Sequence, residues 1–325
     1  MKSLNLIFRR NLVMWIIAAA SLAVPFFLPN RYFQDIAIMT FLWAGLSASW
    51  NLYSGYSKRL SIGHAAFMGI GAYSSSLLYL NFGISPWLGM LVGGVIAAGA
   101  ALLIGGTTLR LKGTFFVLST IAFAEILKVF ATTSRNLTGG ALGVMVPFKP
   151  GLQNMMWDGK IPYSVLMWAY MIVVLFLCAW LEQSKLGFQL VALGENQEAA
   201  ENLGVNSTKS MLSAFVISAV LTSFGGTLFV QYILFIEPSS VMSMSHSVQF
   251  ILLAIAGGMG TAFGPMVGSF ILTPVSTLLR GYLSGVNGLH GLVLGLVLIA
   301  VILFRPDGIL PQLKIFFRRL LKKGK

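Results

Sequence analysis

An all-α membrane protein with about ten transmembrane helices and both termini cytoplasmic is predicted by three features of the sequence. Of 325 residues, 57% are hydrophobic and 10% charged, whereas a soluble domain carries roughly 25% charged residues. The apolar residues form continuous runs, and a helix needs about 20 of them to cross the hydrocarbon layer. Lys and Arg are sorted between alternate connections, which is the pattern that orients spans in a bilayer. The same composition excludes a soluble globular chain, a disordered chain and a disulfide scaffold, since the single cysteine, Cys178, lies inside an apolar run. A membrane β-barrel is excluded because the runs are long and do not alternate polar with apolar residues.

Taken in order, the runs place spans near 12–28, 33–53, 62–80, 86–105, 113–131, 162–181, 211–234, 248–262, 265–280 and 288–304. The first follows Lys2, Arg9 and Arg10 as a signal peptide would. Pro25-Phe26-Phe27-Leu28-Pro29 replaces a small-residue cleavage site, so the run reads as a span. With the N-terminus inside, the cytoplasmic side receives Lys2, Arg9, Arg10, Lys58, Arg59, Arg110, Lys112, Lys185, Lys209, Arg305 and the tail cations. The outside receives Arg31, Arg135, Lys149, Lys160 and Arg280. The net charge of +13 therefore reads as topology and affinity for an anionic inner leaflet, not as nucleic-acid binding. Residues 1–325 form one transmembrane domain. Its long connections are an extracytoplasmic loop, 132–161, and a cytoplasmic loop, 182–210, and a basic cytoplasmic tail covers 305–325.

The cytoplasmic loop carries Glu195, Glu198 and Glu201 on a side that is otherwise basic. Such a surface suits a protein partner better than an anionic leaflet. A short helix is expected through Gln197–Leu203, since Ala199 and Ala200 favour helix and Gly204 is a natural stop. Asn206-Ser207-Thr208 offers caps for the next span. The spacing Glu198-Ala199-Ala200-x-x-x-Gly204 resembles the E-A-A-x-x-x-G element of the cytoplasmic loop of ABC importer permeases. The I-x-L-P continuation of that element is missing, because Ala214-Phe215-Val216-Ile217 follows.

Within the membrane, most of the 35 glycines serve close helix packing. Two clusters stand out: Gly63, Gly69 and Gly71 in the third span, and Gly257, Gly258, Gly260, Gly264 and Gly268 around the eighth and ninth. In a five-plus-five inverted repeat the third and eighth spans correspond, and such paired interruptions point to a pathway at the repeat interface. His64 beside Ser61 reads as a hydrogen-bonded structural histidine ahead of a solute contact. Glu125 and Lys128 sit three apart in the fifth span and read as an ion pair stabilising the packing. His246 and His290 have no acid or thiol at ligand spacing, so no metal site is expected.

Together, several segments resemble the LivM-type permease of branched-chain amino acid ABC importers. They are Ser61-Ile62-Gly63-His64-Ala65-Ala66-Phe67-Met68-Gly69-Ile70-Gly71-Ala72-Tyr73, Gly113-Thr114-Phe115-Phe116, Ala122-Phe123-Ala124-Glu125-Ile126 and Thr138-Gly139-Gly140 with Gly143. The Glu198 loop, Gly257-Gly258-Met259-Gly260-Thr261-Ala262-Phe263-Gly264-Pro265 and Phe304-Arg305-Pro306-Asp307-Gly308-Ile309-Leu310 complete the order. Lys58 and Arg59 depart from the Gly-Gln pair that often precedes the first of these. The resemblance implies a permease subunit in the bacterial inner membrane, with a homologous LivH-type permease beside it. Two ATPase subunits would dock inside, a periplasmic binding protein would dock outside, and no cofactor is implied. The ATPases would grip Glu195, Glu198, Ala199, Ala200, Glu201 and Gly204. Candidate pathway residues are Ser61, Gly63, His64, Ser119, Thr138, Gly139, Gly140, Gly257 and Gly258. The chain has no G-x-x-x-x-G-K-[ST] phosphate loop, so ATP energy must come from another chain and no enzymatic activity of its own is expected. Urea, short amides and other amino acids remain alternative cargoes, and a passive channel or ion-coupled carrier the alternative mechanism.

Overall fold

The computed structural model describes residues 11–111 and 113–282 together with positions 295, 296, 299, 303 and 308–311. Lys2, Arg9, Arg10, Lys112, His290, Arg305, most of the tenth expected span (288–304) and nearly all of the tail (305–325) lie outside the described residues. The described chain is helical almost throughout. It opens with α1 (Leu12–Ala20), a 3-10 turn over Ser21–Ala23 and α2 (Val24–Phe27), so the first expected span is broken short of Pro25. Then follow α3 (Arg31–Ser57), α4 (His64–Phe82), α5 (Pro86–Thr108), α6 (Thr114–Thr133) and the single turn α7 (Arg135–Thr138). The second half contains α8 (Lys160–Leu181), α9 (Lys185–Glu195), α10 (Gln197–Asn202), α11 (Ser207–Ile233), α12 (Pro238–Val241), α13 (Met244–Gly257) and α14 (Gly264–Tyr282).

Among the described residues five segments are long and apolar enough to cross a membrane: α5, α6, α8, α11 and the stretch Pro238–Gly257. The chain is thus a multi-pass all-α membrane protein. Helix α3 falls outside this set for a structural reason. From Ile36 to Ser57 every residue except Met39 is buried, with α8, α11, α13 and α14 packed around it. A helix shielded by protein has no need of a lipid-compatible surface. Accordingly α3 carries Ser47, Ser49, Asn51 and Ser54, all buried, at its centre. The peripheral helices α5 and α6 show the opposite pattern, apolar but largely open on their outer faces.

Helix α11 is held tightly against α4. A β-carbon on Gly226 would stand 1.9 Å from the Met68 carbonyl oxygen, and one on Gly71 would stand 1.9 Å from that of Ser223. Only glycine permits this approach, as packing between membrane helices commonly requires. At the end carrying Arg31, the long loop is pinned by a two-stranded antiparallel ribbon, β1 (Val144–Met145) with β2 (Phe235–Ile236). At the other end lie Lys58, Arg59 and α9–α10. Among the described residues, Lys58, Arg59, Arg110 and Lys185, read as inside, lie at the opposite end of the long helices from Arg31 and Lys160, read as outside.

Two expectations are corrected. The eighth span, expected over 248–262, is helical only to Gly257. Gly258 (φ 125°) and Gly260 (φ 74°) turn the chain there, a backbone that other residues rarely adopt. The cytoplasmic loop, expected to hold one short helix, holds two. α9 precedes α10, with Ser184 accepting from the Gly187 N–H as its cap.

Candidate functional site

The acidic segment is built from local capping chemistry. Asn196 caps α10 by accepting from the Ala199 N–H (3.0 Å), and Asn206 caps α11 by accepting from that of Lys209 (2.9 Å). Gly204 (φ 88°) makes the expected turn, and the Val205 N–H closes back on the Ala200 carbonyl (3.1 Å). Ala200 is buried and anchors the helix, while Glu198, Ala199, Glu201 and Gly204 are exposed. Leu203 is 87% exposed at the tip. Its exposure is not visible in the sequence, where Leu203 reads only as the end of a helix.

Glu195 is not part of that outward surface alone. It receives the Lys58 ammonium at 2.7 Å. The neighbouring Arg59 guanidinium donates to the Gln197 side chain (2.7 Å) and to the carbonyls of Leu109 (2.9 Å) and Leu111 (3.3 Å) beyond the end of α5. A cation is favoured there because a helix C-terminus leaves carbonyls unpaired. Lys58 itself adopts a left-handed backbone (φ 53°) that ends α3. Thus the pair that departs from Gly-Gln ties the acidic segment to α3 and α5. Deeper in, Glu182 accepts from the Ala262 N–H (2.7 Å) and from the Tyr56 hydroxyl (3.2 Å). Asn51 accepts from the Gly260 N–H (2.8 Å) and donates to the Thr261 carbonyl (3.0 Å). The turn containing Gly257 and Gly258 is therefore held by side chains from α3 and from the start of the acidic loop.

Ser61, Gly63 and His64 form a second group, completely enclosed. Ser218 donates to the Ser49 carbonyl (2.7 Å), so its oxygen accepts from Nε2 of His64 (2.8 Å). In the neutral ring Nδ1 is then left to accept from Ser61 (3.0 Å). A β-carbon on Gly63 would meet the Thr120 carbonyl at 2.5 Å. The first turns of α4 and α13 meet here, the Ala65 N–H donating to Ser247 (2.9 Å). The third and eighth spans are thus in contact at their N-terminal ends, halfway along α3.

The other candidates lie elsewhere. Ser119 is half-buried and donates to the Phe116 carbonyl of its own helix (2.7 Å). Thr138 is buried and donates to the Ala131 and Ser134 carbonyls. Gly139 and Gly140 follow it with positive φ. They belong to the Arg31 end, where Asp35, paired with Lys160 and bonded to Tyr232, borders a cavity of about 520 Å³. The nine pathway candidates therefore do not converge on one site. Glu125 and Lys128 approach to 3.7 Å, with their side chains 46% and 32% exposed. The spacing brings them together as expected, but the pair is on an open face of α6 and not in the interior of the bundle. Among the described residues no group of three or more His, Cys, Asp or Glu could hold a metal ion.

Residues 32–302 match a family described as branched-chain amino acid transport system, permease component. The chain is 28% identical to the high-affinity branched-chain amino acid transport system permease protein LivM of Salmonella typhimurium, over 94% of this chain and 76% of that one. It is 29% identical to the LivM protein of Escherichia coli over 92% of this chain and 75% of the relative. A probable branched-chain amino acid transport permease protein LivM of Methanocaldococcus jannaschii is 21% identical over 89% of this chain and 97% of its own length.

Proposed function

Because this chain belongs to the permease-component family of branched-chain amino acid transport systems, we propose that it forms one half of the membrane path of an ATP-driven importer for branched-chain amino acids. It sits in the bacterial inner membrane with both termini in the cytoplasm. A homologous permease subunit forms the other half of the path. Two ATPase subunits dock on Glu198, Ala199, Glu201, Leu203 and Gly204, and a periplasmic binding protein delivers solute at the Arg31 end. The observation that carries this reading is the exposed, capped α10, tied to α3 and the end of α5 by Arg59 on Gln197, with Lys58 on Glu195 at the end of α9 just before it. A segment that only connected two spans would have no need of such bracing. Glu195 and Ala200 transmit force from this surface, and Ser61, Gly63 and His64 shape the wall of the path without holding solute tightly. Gly257 and Gly258 give the wall its close helix packing, while Thr138, Gly139 and Gly140 shape its outer rim.

The test is co-purification and uptake. Wild type should retain an ATPase pair and, in vesicles with the binding protein, accumulate leucine only with ATP. Glu198→Arg and Gly204→Trp should lose the ATPase while the permease still folds. Uptake that persists without the ATPase subunits would favour a passive or ion-coupled carrier.

A further inference from the structure

Helix α6 is the least buried of the five apolar crossing segments. Phe116, Thr120, Ala124 and Ala131 pack it onto the rest of the chain. Its open side has two parts. Phe115, Ile126, Val129 and Phe130 are exposed and apolar, as a lipid-facing flank should be. The second part is the line Thr114, Leu118, Ile121, Glu125, Lys128 and Thr132, whose steps alternate between four and three residues. On an α-helix that spacing makes one continuous face.

That face places two charges deep in the membrane. At 1.5 Å per residue, Glu125 is about 17 Å along a helix about 30 Å long, and Lys128 is one turn further on. Charged side chains at such depth normally face a bundle interior or a water-filled cavity. Among the described residues none encloses them, and both side chains remain substantially open. At 3.7 Å they are also beyond hydrogen-bond distance of each other, so both heads keep capacity for another partner.

We propose that this face of α6 lines the aqueous solute path where the subunit meets its membrane partner, Glu125 receiving the ammonium and Lys128 the carboxylate of a passing amino acid zwitterion. The inference rests on the importer reading and adds to it a location and a charge pair. Opposite charges one helical turn apart present complementary partners to a solute whose own charges are joined through a single carbon, and they replace part of its lost hydration.

The test uses the complete transporter in vesicles, with Cys178 changed to Ala and single cysteines introduced as Glu125→Cys, Lys128→Cys and Ile126→Cys. A membrane-impermeant anionic thiol reagent should modify positions 125 and 128 at least about tenfold faster than 126, since water reaches only the path-lining face. Leucine presented by the binding protein should slow that modification. Separately, Glu125→Gln and Lys128→Met should each lower ATP-driven leucine uptake by about tenfold, with subunit assembly and ATP hydrolysis retained. Equal, slow modification at all three positions overturns the proposal, as does full uptake by the Gln and Met variants. If a neutral variant does not assemble, the labelling contrast decides. Failure of the importer reading is distinct: wild type would then show no ATP-driven leucine uptake, whatever the labelling pattern.

Discussion

At His64 three hydroxyl and carbonyl groups fix which ring nitrogen carries the proton, and a single substitution can undo this. Ser218→Ala removes the acceptor for Nε2 and leaves a buried N–H unpaired, which costs about 1–3 kcal/mol. The expected result is a lowered thermal transition of the detergent-solubilised protein. A transition unchanged from wild type would mean that the hydroxyl is dispensable there. The Lys58–Glu195 pair behaves differently, because both side chains are more than half exposed. Such pairs contribute about 0.2–1 kcal/mol, so Lys58→Glu should barely alter stability. It should instead reduce leucine transported per ATP hydrolysed, and Lys58→Glu combined with Glu195→Lys should restore the ratio. A swap that leaves the defect in place would show that the pair has no part in positioning α10. Sequence alone could not reveal this role, because Lys58 and Glu195 are far apart along the chain and only the fold makes them neighbours. Leu203 was hidden for the opposite reason: an apolar residue at a helix end is ordinary until its exposure is known.

At the scale of elements, the continuous apolar runs were readable because each span has to satisfy the bilayer by itself. Nine of the expected spans coincide with helices among the described residues, although the first is interrupted and the eighth ends early. The cap at Asn206 was readable too, since its chemistry is local. Asn206→Ala should therefore destabilise the start of α11 by about 1 kcal/mol, seen as faster amide exchange over residues 207–210; exchange at the wild-type rate would count against the cap. Helix α9 was not readable as a separate element because its apolar face, with Gly187, Leu190 and Leu193 buried, is fixed by contact with α3 and α11. The crossing of α4 and α11 gives a stronger prediction. A methyl group at Gly226 must displace the Met68 backbone, so Gly226→Ala should cost about 1–3 kcal/mol of overpacking strain and lower the yield of folded protein. Wild-type yield and stability would show that the two helices can separate freely.

Over the whole molecule, the charge asymmetry predicts an orientation, and the described cations at the Lys58 end lie opposite Arg31 and Lys160. With Cys178 replaced, Pro150→Cys should react with an impermeant thiol reagent added to intact cells once the outer membrane is made permeable, and Lys185→Cys should react only after lysis. Both positions are exposed, so the reverse pattern would invert the topology. The path itself was the least readable feature. Glycine clusters marked tight packing at several places, and Glu125 and Lys128 were legible as a charged pair, but that they lie on an open face of α6 became visible only in the fold.

The envelopment of α3 also bears on how the protein is made. Helices α8, α11, α13 and α14, which cover its serines and asparagine, are all synthesised after residue 159. A nascent chain that stops earlier leaves those hydroxyls and that amide facing oil. The second helical segment to leave the ribosome must therefore wait in the insertion machinery, or under a chaperone, until the last quarter of the polypeptide arrives.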